Sequence, residues 1–258
     1  LETFSFSTLL AVSAEESGAL SGLPVKPVWM CYLAGNGPRL WRGAPPGRIR
    51  GGVLSASDAR LTQIGDPGLF CQQAVRECRA RGAFGFWANW SREPTESMET
   101  FTAALDAALS EQKLALFVPE PYGGCCPSAH VLISSALCGG TLKQRLTDAV
   151  ECFGRRRVVL AVERMREDFS LPAPEGQGSR LSPGGLERLM QRLHPKVHYA
   201  PEFCASYFTY EQDEQTHFVL FDTAEDVKKK LRLAEQLELE YVLMAWQENR
   251  ELFVRPPS

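Results

Sequence analysis

The sequence predicts a single (β/α)8 barrel with an irregular N-terminal quarter, and three observations carry that expectation. Eight short apolar runs recur along the 258 residues. Several are apolar without alternation, as strands buried on both faces are. Amphipathic helical patterns separate most of the later runs, and strands that alternate with helices form parallel sheets. An open doubly wound sheet is the alternative arrangement of the same parts.

The strand runs are "TFSFSTLLAVS" (3–13), "KPVWMCYLA" (26–34), "GGVLSASD" (51–58), "GAFGFWANW" (82–90), "LALFVPEPY" (114–122), "AHVLISSAL" (129–137), "RVVLAVERM" (157–165) and "YVLMAWQE" (241–248). Residues 67–80 form the first convincing helix, with Phe70, Ala74, Val75 and Cys78 on one face and Pro67 near the start. The next, 95–110, opens on Thr95 and Glu96 and turns Met98, Phe101, Leu105 and Leu109 inward. Residues 141–154 carry a Thr cap, an apolar face of Leu142, Leu146, Ala149 and Val150, and Gly154 as the stop. Segments 182–194 and 223–239 follow the same pattern, the latter with acids early and lysines later, as the helix dipole favours.

The first two connections are different. They are rich in Gly and Pro, and "GNGPRLWRGAPPGRIRGG" reads as an irregular excursion or hairpin. Between the seventh and eighth strands lies an insertion subdomain, 166–222, within one domain spanning 1–258; in it "SYFTYEQDEQTHFVLFD" alternates around a charged turn like a β-hairpin. No repeat or low-complexity tract divides the chain.

Composition narrows the function classes. A net charge of -3 and a pI near 5.9 give no general attraction for phosphate backbones, and no stretch interleaves basic and aromatic residues, so no nucleic-acid partner is expected. Apolar runs such as 158–162 are far shorter than the roughly 20 residues that cross a bilayer, so no membrane span is expected. The opening "LETFSFSTLLAVSAEES" lacks a basic flank and reads as a strand, not a signal peptide. Cys31, Cys71, Cys78, Cys125, Cys126, Cys138, Cys152 and Cys204 are scattered, mostly in apolar segments, which suggests free thiols and a cytoplasmic setting. No CxxC pair occurs, His194 and His198 are separated by a helix-breaking Pro195, and Gly35-Asn36-Gly37 has no GK[ST] after it. No metal or cofactor is expected. The runs Arg155-Arg156-Arg157 and Lys228-Lys229-Lys230 read as solvated faces.

"TLKQRLTDAVECFGRRRVVLAVERMREDFSLP", followed by "HPKVHYAPEFCASYFTYEQDEQTHFVLFDTAEDVKKKLRLAEQLELEYVLMAWQ", resembles the C-terminal third of glycoside hydrolase family 18 barrels, especially the bacterial spore-cortex type. The resemblance spans roughly residues 65–250. It implies a D-x-x-D-x-D-x-E pattern on the fourth strand, whose Glu protonates the leaving oxygen while the substrate's acetamide is the nucleophile. Aligning Arg81-Gly82 with the basic residue and glycine that precede the pattern puts Gly85, Trp87, Asn89 and Ser91 in place of its G, D, D and E. Ser91 cannot act as that acid, because its hydroxyl stays protonated and is two carbons shorter than Glu. Asn89 can still hydrogen-bond an acetamide. On the sixth strand Ser134 and Ser135 stand where the family shows a Tyr-Asp pair.

The resemblance therefore implies an inactive barrel that binds an N-acetylglucosamine-containing glycan of chitin or peptidoglycan type, whose location in the cell envelope conflicts with the cysteine argument. It casts Trp246 as the floor of the sugar pocket. Trp87 either faces the sugar or fills the barrel, and Trp90 points outward against helices. A displaced acid is the alternative: Glu120, flanked by prolines and followed by Tyr122, or Glu163, whose other reading is a salt bridge with Arg164, Arg166 or another barrel arginine. Glu93, Glu248 and Asp58 also follow strand ends, where barrel active sites lie, and Asp58 joins Tyr122, Asn89 and Ser91 as a candidate substrate contact. A protein-interaction scaffold with a plugged mouth would instead bury Trp246.

Overall fold

The computed structural model describes residues 4–43, 49–136, 140–173 and 178–253. Eight parallel strands close on themselves: β1 (Ser7–Val12), β2 (Lys26–Gly35), β3 (Val53–Arg60), β4 (Gly85–Asn89), β5 (Ala115–Pro119), β6 (His130–Ser134), β7 (Val158–Val162) and β8 (Tyr241–Ala245). Each pairs with its sequence neighbours, and β1 pairs with both β2 and β8 to close the ring. Each of the eight predicted runs coincides with one of these strands, six containing it whole while β2 and β3 extend past their runs to Gly35 and Arg60. Helices α1 (Gly68–Arg81), α2 (Glu96–Glu111), α3 (Leu142–Phe153) and α5 (Ala224–Gln236) pack outside, while α4 (Pro183–Leu193) lies in the insertion between β7 and β8.

The caps read from sequence do form. Thr95, Thr141 and Ser182 side chains accept from backbone N–H groups of α2, α3 and α4, and Thr223 forms a reciprocal capping box with Asp226 at the start of α5. Gly82 ends α1 in the left-handed region at φ 63°, open to Gly without a steric penalty. Three residues on, the start of β4 also requires glycine: a Cβ on Gly85 would lie 2.8 Å from the Ala115 carbonyl oxygen.

The N-terminal quarter is irregular, as its composition predicts. A 3-10 turn (Glu15–Leu20) replaces the first helix, and β2 folds back on an antiparallel edge strand, Arg39–Arg42. The segment between β5 and β6 likewise holds only a 3-10 turn, Glu120–Tyr122.

Strand parity sorts the core into two layers. Outward side chains such as Leu54, Phe86, Val118 and Met244 join the helices in one continuous cluster. Inward ones, including Leu9, Val28, Val53, Phe117, Val159 and Leu243, form a separate cluster inside the ring. Its lower end is filled by aromatic rings: Phe117 stacks on His130 at 4.9 Å, Tyr241 meets both edge-on at 5.6 and 5.1 Å, and Lys26 lies 5.0 Å from the Phe84 ring centre. Burial lowers the pKa of His130, which favours a neutral ring among these neighbours.

In the insertion, Ser179–Arg180, Arg166–Leu171, Gln215–Phe221, Ala205–Gln212 and His198–Ala200 make an antiparallel sheet in that order. The predicted hairpin turns at Asp213 and Glu214, both at positive φ, as a tight two-residue connection requires. Leu186, Leu189 and Met190 of α4 cover one face through Phe208, Val219 and Phe221.

The chain leaves this sheet at Asp222, where the lysine run departs from its expected role. Lys230 is not solvated. It is fully buried, and its ammonium donates to Asp222 Oδ2 at 2.7 Å, an oxygen that also accepts the Met165 N–H at 2.8 Å. Lys229 lies over the Tyr199 ring, its ammonium 3.3 Å from the ring centre. In the arginine run, Arg157 donates to the carbonyls of Gly123, Cys126 and Ala129. Seven of the eight cysteines are free thiols, and Cys138 falls outside the described residues.

Removing one partner of a fully buried ion pair strands the other charge. Lys230→Met is therefore expected to lower unfolding stability by about 3–5 kcal/mol in urea titration, and Lys230→Met with Asp222→Leu should recover a large part of that loss.

Candidate functional site

The parallel strands deliver their C-terminal ends to one rim. Above the aromatic plug opens a cavity of about 350 Å³. Trp87 and Asn89 of β4 enter it by strand parity, two residues apart. Ser134 comes from the end of β6, Glu120 from the turn after β5, and Glu163 from the residue after β7. Leu132 and Leu243 form apolar wall. This opening argues against a fully plugged barrel.

Trp87 therefore faces the cavity and also packs against the inner core, so both of its sequence readings hold. Its indole N–H is buried without a hydrogen-bond partner among the described residues. Trp90 points the other way, as expected. Its ring stacks on Phe101 at 5.6 Å, and its N–H donates to Thr102 Oγ1 at 3.1 Å.

Ser91 is turned away from the reacting position that the resemblance implies. Its hydroxyl donates to Asp58 Oδ1 at 2.9 Å, and the N–H groups of Ser91 and Arg92 donate to the same carboxylate at 3.1 Å. Asp58 is fully buried, and the Arg92 guanidinium lies 3.8 Å away. Neither Asp58 nor Ser91 lines the cavity, which corrects both as substrate contacts: together they anchor the loop that leaves β4. Tyr122 is corrected for a related reason. It is buried, its hydroxyl donates to the Arg92 carbonyl at 2.9 Å, and burial pushes its pKa up to about 12, so it braces this loop from below.

Trp246 requires the largest correction. It sits one residue beyond Ala245, which lines the cavity, and so projects to the outer face, where it is buried and packs against Phe253 at 6.0 Å between ring centres. It does not floor the pocket; its burial is the placement the scaffold alternative expects, whereas the open cavity is not. The alternation inward at Leu243, outward at Met244 and inward at Ala245 was the sequence signal for this placement, and the resemblance pointed against it.

The displaced acids separate clearly. Glu120 forms an ion pair with Arg145 of α3. Glu163 does not make the expected arginine contacts: Arg164 pairs with Glu251, and Arg166 with Glu248. Its carboxylate is exposed at the mouth and has no ion pair or hydrogen bond among the described residues. Its backbone is fixed nonetheless, since the Ser135 hydroxyl accepts from the Glu163 N–H at 3.1 Å and donates to its carbonyl at 3.2 Å. Ser135 thus ties β6 to the end of β7, a positioning role that the sequence did not reveal. Glu93 and Glu248 do not line the cavity.

Neither the family models nor the curated proteins include a match to this sequence. Solved structures do match. A chitinase from Chromobacterium violaceum superposes with a TM-score of 0.66 at 15% identity, over 93% of this chain and 93% of that one. A spore cortex-lytic enzyme from Bacillus megaterium gives 0.65 at 14% identity, over 95% and 71%. The fold is that of the family 18 chitinase-like barrels. A family 18 chitinase from Cycas revoluta in complex with (GlcNAc)3 gives 0.60 at 12% identity, over 96% of both chains. In this barrel β4 ends on Asn89, and Ser91, two residues further on, is anchored to Asp58.

Three hydrogen-bond donors and a nearby guanidinium converge on Asp58, so its removal should be felt mainly by the loop. Asp58→Ala is expected to destabilise the protein by about 3 kcal/mol in urea unfolding and to speed proteolysis within residues 91–94. Asp58→Asn should fall between this variant and the parent on both measures.

Proposed function

We propose that this barrel binds an N-acetylglucosamine-containing glycan, of chitin or peptidoglycan type, at its mouth and does not hydrolyse it by the family 18 route. One observation carries the reading: the residue in the proton donor's place, Ser91, gives its hydroxyl hydrogen to buried Asp58. The Ser91 hydroxyl does not supply a positioned acid, a group worth about 10²- to 10⁴-fold in rate. What remains suits recognition. Trp87 offers apolar indole surface, Asn89 an amide, and Ser134 a hydroxyl that accepts from the Ala136 N–H. The sugar carried by the Cycas chitinase gives the ligand class its precedent.

Glu163 motivates a second reading. It is an exposed, unpaired carboxylate on a fixed backbone at the mouth, which makes it a better displaced acid than Glu120, whose carboxylate is held by Arg145.

Long incubation of concentrated protein with N-acetylglucosamine oligomers and muropeptides, followed by mass spectrometry, separates the two. Intact oligomers are expected, with calorimetric binding that weakens about tenfold in Trp87→Ala. Cleavage that disappears in Glu163→Gln would overturn the non-catalytic reading and make Glu163 the acid.

A further inference from the structure

The cavity is uneven in charge. Among the described residues lining it there are two carboxylates and no Lys, Arg or His. The Glu120 charge is answered by Arg145 from α3, whereas Glu163 has no cationic partner among the described residues. The two arginines that follow it in sequence are both committed elsewhere, to Glu251 and Glu248. The neutral groups of the cavity are already suited to sugar hydroxyls: the Asn89 amide and the Ser134 hydroxyl. Only the negative charge lacks a complement.

We infer that the cavity takes a hexosamine unit whose amino group is free, with its ammonium against the Glu163 carboxylate and its ring beside Trp87. This inference rests on the glycan reading above and narrows it. An N-acetylated unit offers Glu163 only a neutral amide, and a uronic acid or lactyl carboxylate would be repelled by it. A free amine brings the charge that the site lacks, as an ammonium donating charge-assisted hydrogen bonds to the carboxylate. The volume of about 350 Å³, closed below by the Phe117, His130 and Tyr241 rings, favours one or two sugar rings at the mouth over a long threaded chain.

Calorimetry on the full chain with three trisaccharides tests this: a fully de-N-acetylated glucosamine trimer, its tri-N-acetylated counterpart, and a glucose trimer of the same linkage. At about pH 6 the sugar amines are protonated, and the glucosamine trimer is expected to bind about five- to tenfold tighter than the acetylated one. Raising salt to about 0.5 M should erode that preference, because Glu163 is solvent-accessible. Glu163→Gln, an isosteric change at an exposed position, should bring the two affinities to within about twofold while circular dichroism stays unchanged. Equal or tighter binding of the acetylated trimer, or a preference that survives Glu163→Gln, would overturn the inference and leave the glycan reading standing. Failure of all three sugars to bind would remove the glycan reading, and the inference with it.

Discussion

The mouth of this barrel depends on the Asp58 carboxylate. It is fully buried at the end of β3, and it gathers the Ser91 hydroxyl, two consecutive backbone N–H groups and the Arg92 guanidinium. A buried carboxylate so supplied with donors has its hydrogen-bonding needs met inside the protein. The consequence is geometric. The chain leaving β4 is tied to β3 and braced by Tyr122 from the β5 turn, so Ser91 is held off the cavity. Asn89 and Trp87 are left as the contribution of β4 to the site.

A second constraint is the two-residue period of a strand in a closed barrel. It decides which residues meet a ligand and which meet the helices, and in this chain it was readable from sequence. Gly85, Trp87 and Asn89 share one parity, while Phe86, Ala88 and Trp90 share the other, and the structure sorts them into inner and outer layers accordingly. The same rule placed Trp246 outside and Asp58 off the cavity. Reading Trp246 as a sugar contact followed the family pattern and reading Asp58 as one followed its place at a strand end, and parity was the better guide because it follows from backbone geometry alone. The eight strands, the helix caps and the hairpin were legible because each is encoded within a few residues: an apolar run, a Thr or Ser followed by a helical face, a charged two-residue turn.

What was not legible involves partners distant in sequence. Nothing within the run Lys228-Lys229-Lys230 indicates that its last member is buried against Asp222, because that depends on how the insertion sheet returns to the barrel. Once α5 is docked, its inward face must carry Lys230 between Val227 and Leu231, and the only way to bury that ammonium is to supply a carboxylate. Asp222 does so at the junction where the insertion sheet ends, and its bond from the Met165 N–H joins the entry of the insertion to its exit. The clamp of Glu163 by Ser135 is of the same kind, a cross-strand contact between residues 28 positions apart.

These contacts bear on how far the site has moved from the family arrangement. If the loss of the acid were only the exchange of one side chain, the reverse exchange would rebuild a hydrolase. The structure argues otherwise. A glutamate at position 91 would set a second carboxylate beside buried Asp58, where like charges disfavour joint ionisation, and it would lose the hydroxyl that now donates to that acid. Trp87 occupies the inward position two residues before Asn89, and Ser134 and Ser135 replace the polar pair expected on β6, the latter serving to hold β7. The loop anchor, the inward indole and the serine clamp each fix a different part of the mouth, and among the described residues of the cavity they leave Glu163 as the carboxylate without a cationic partner.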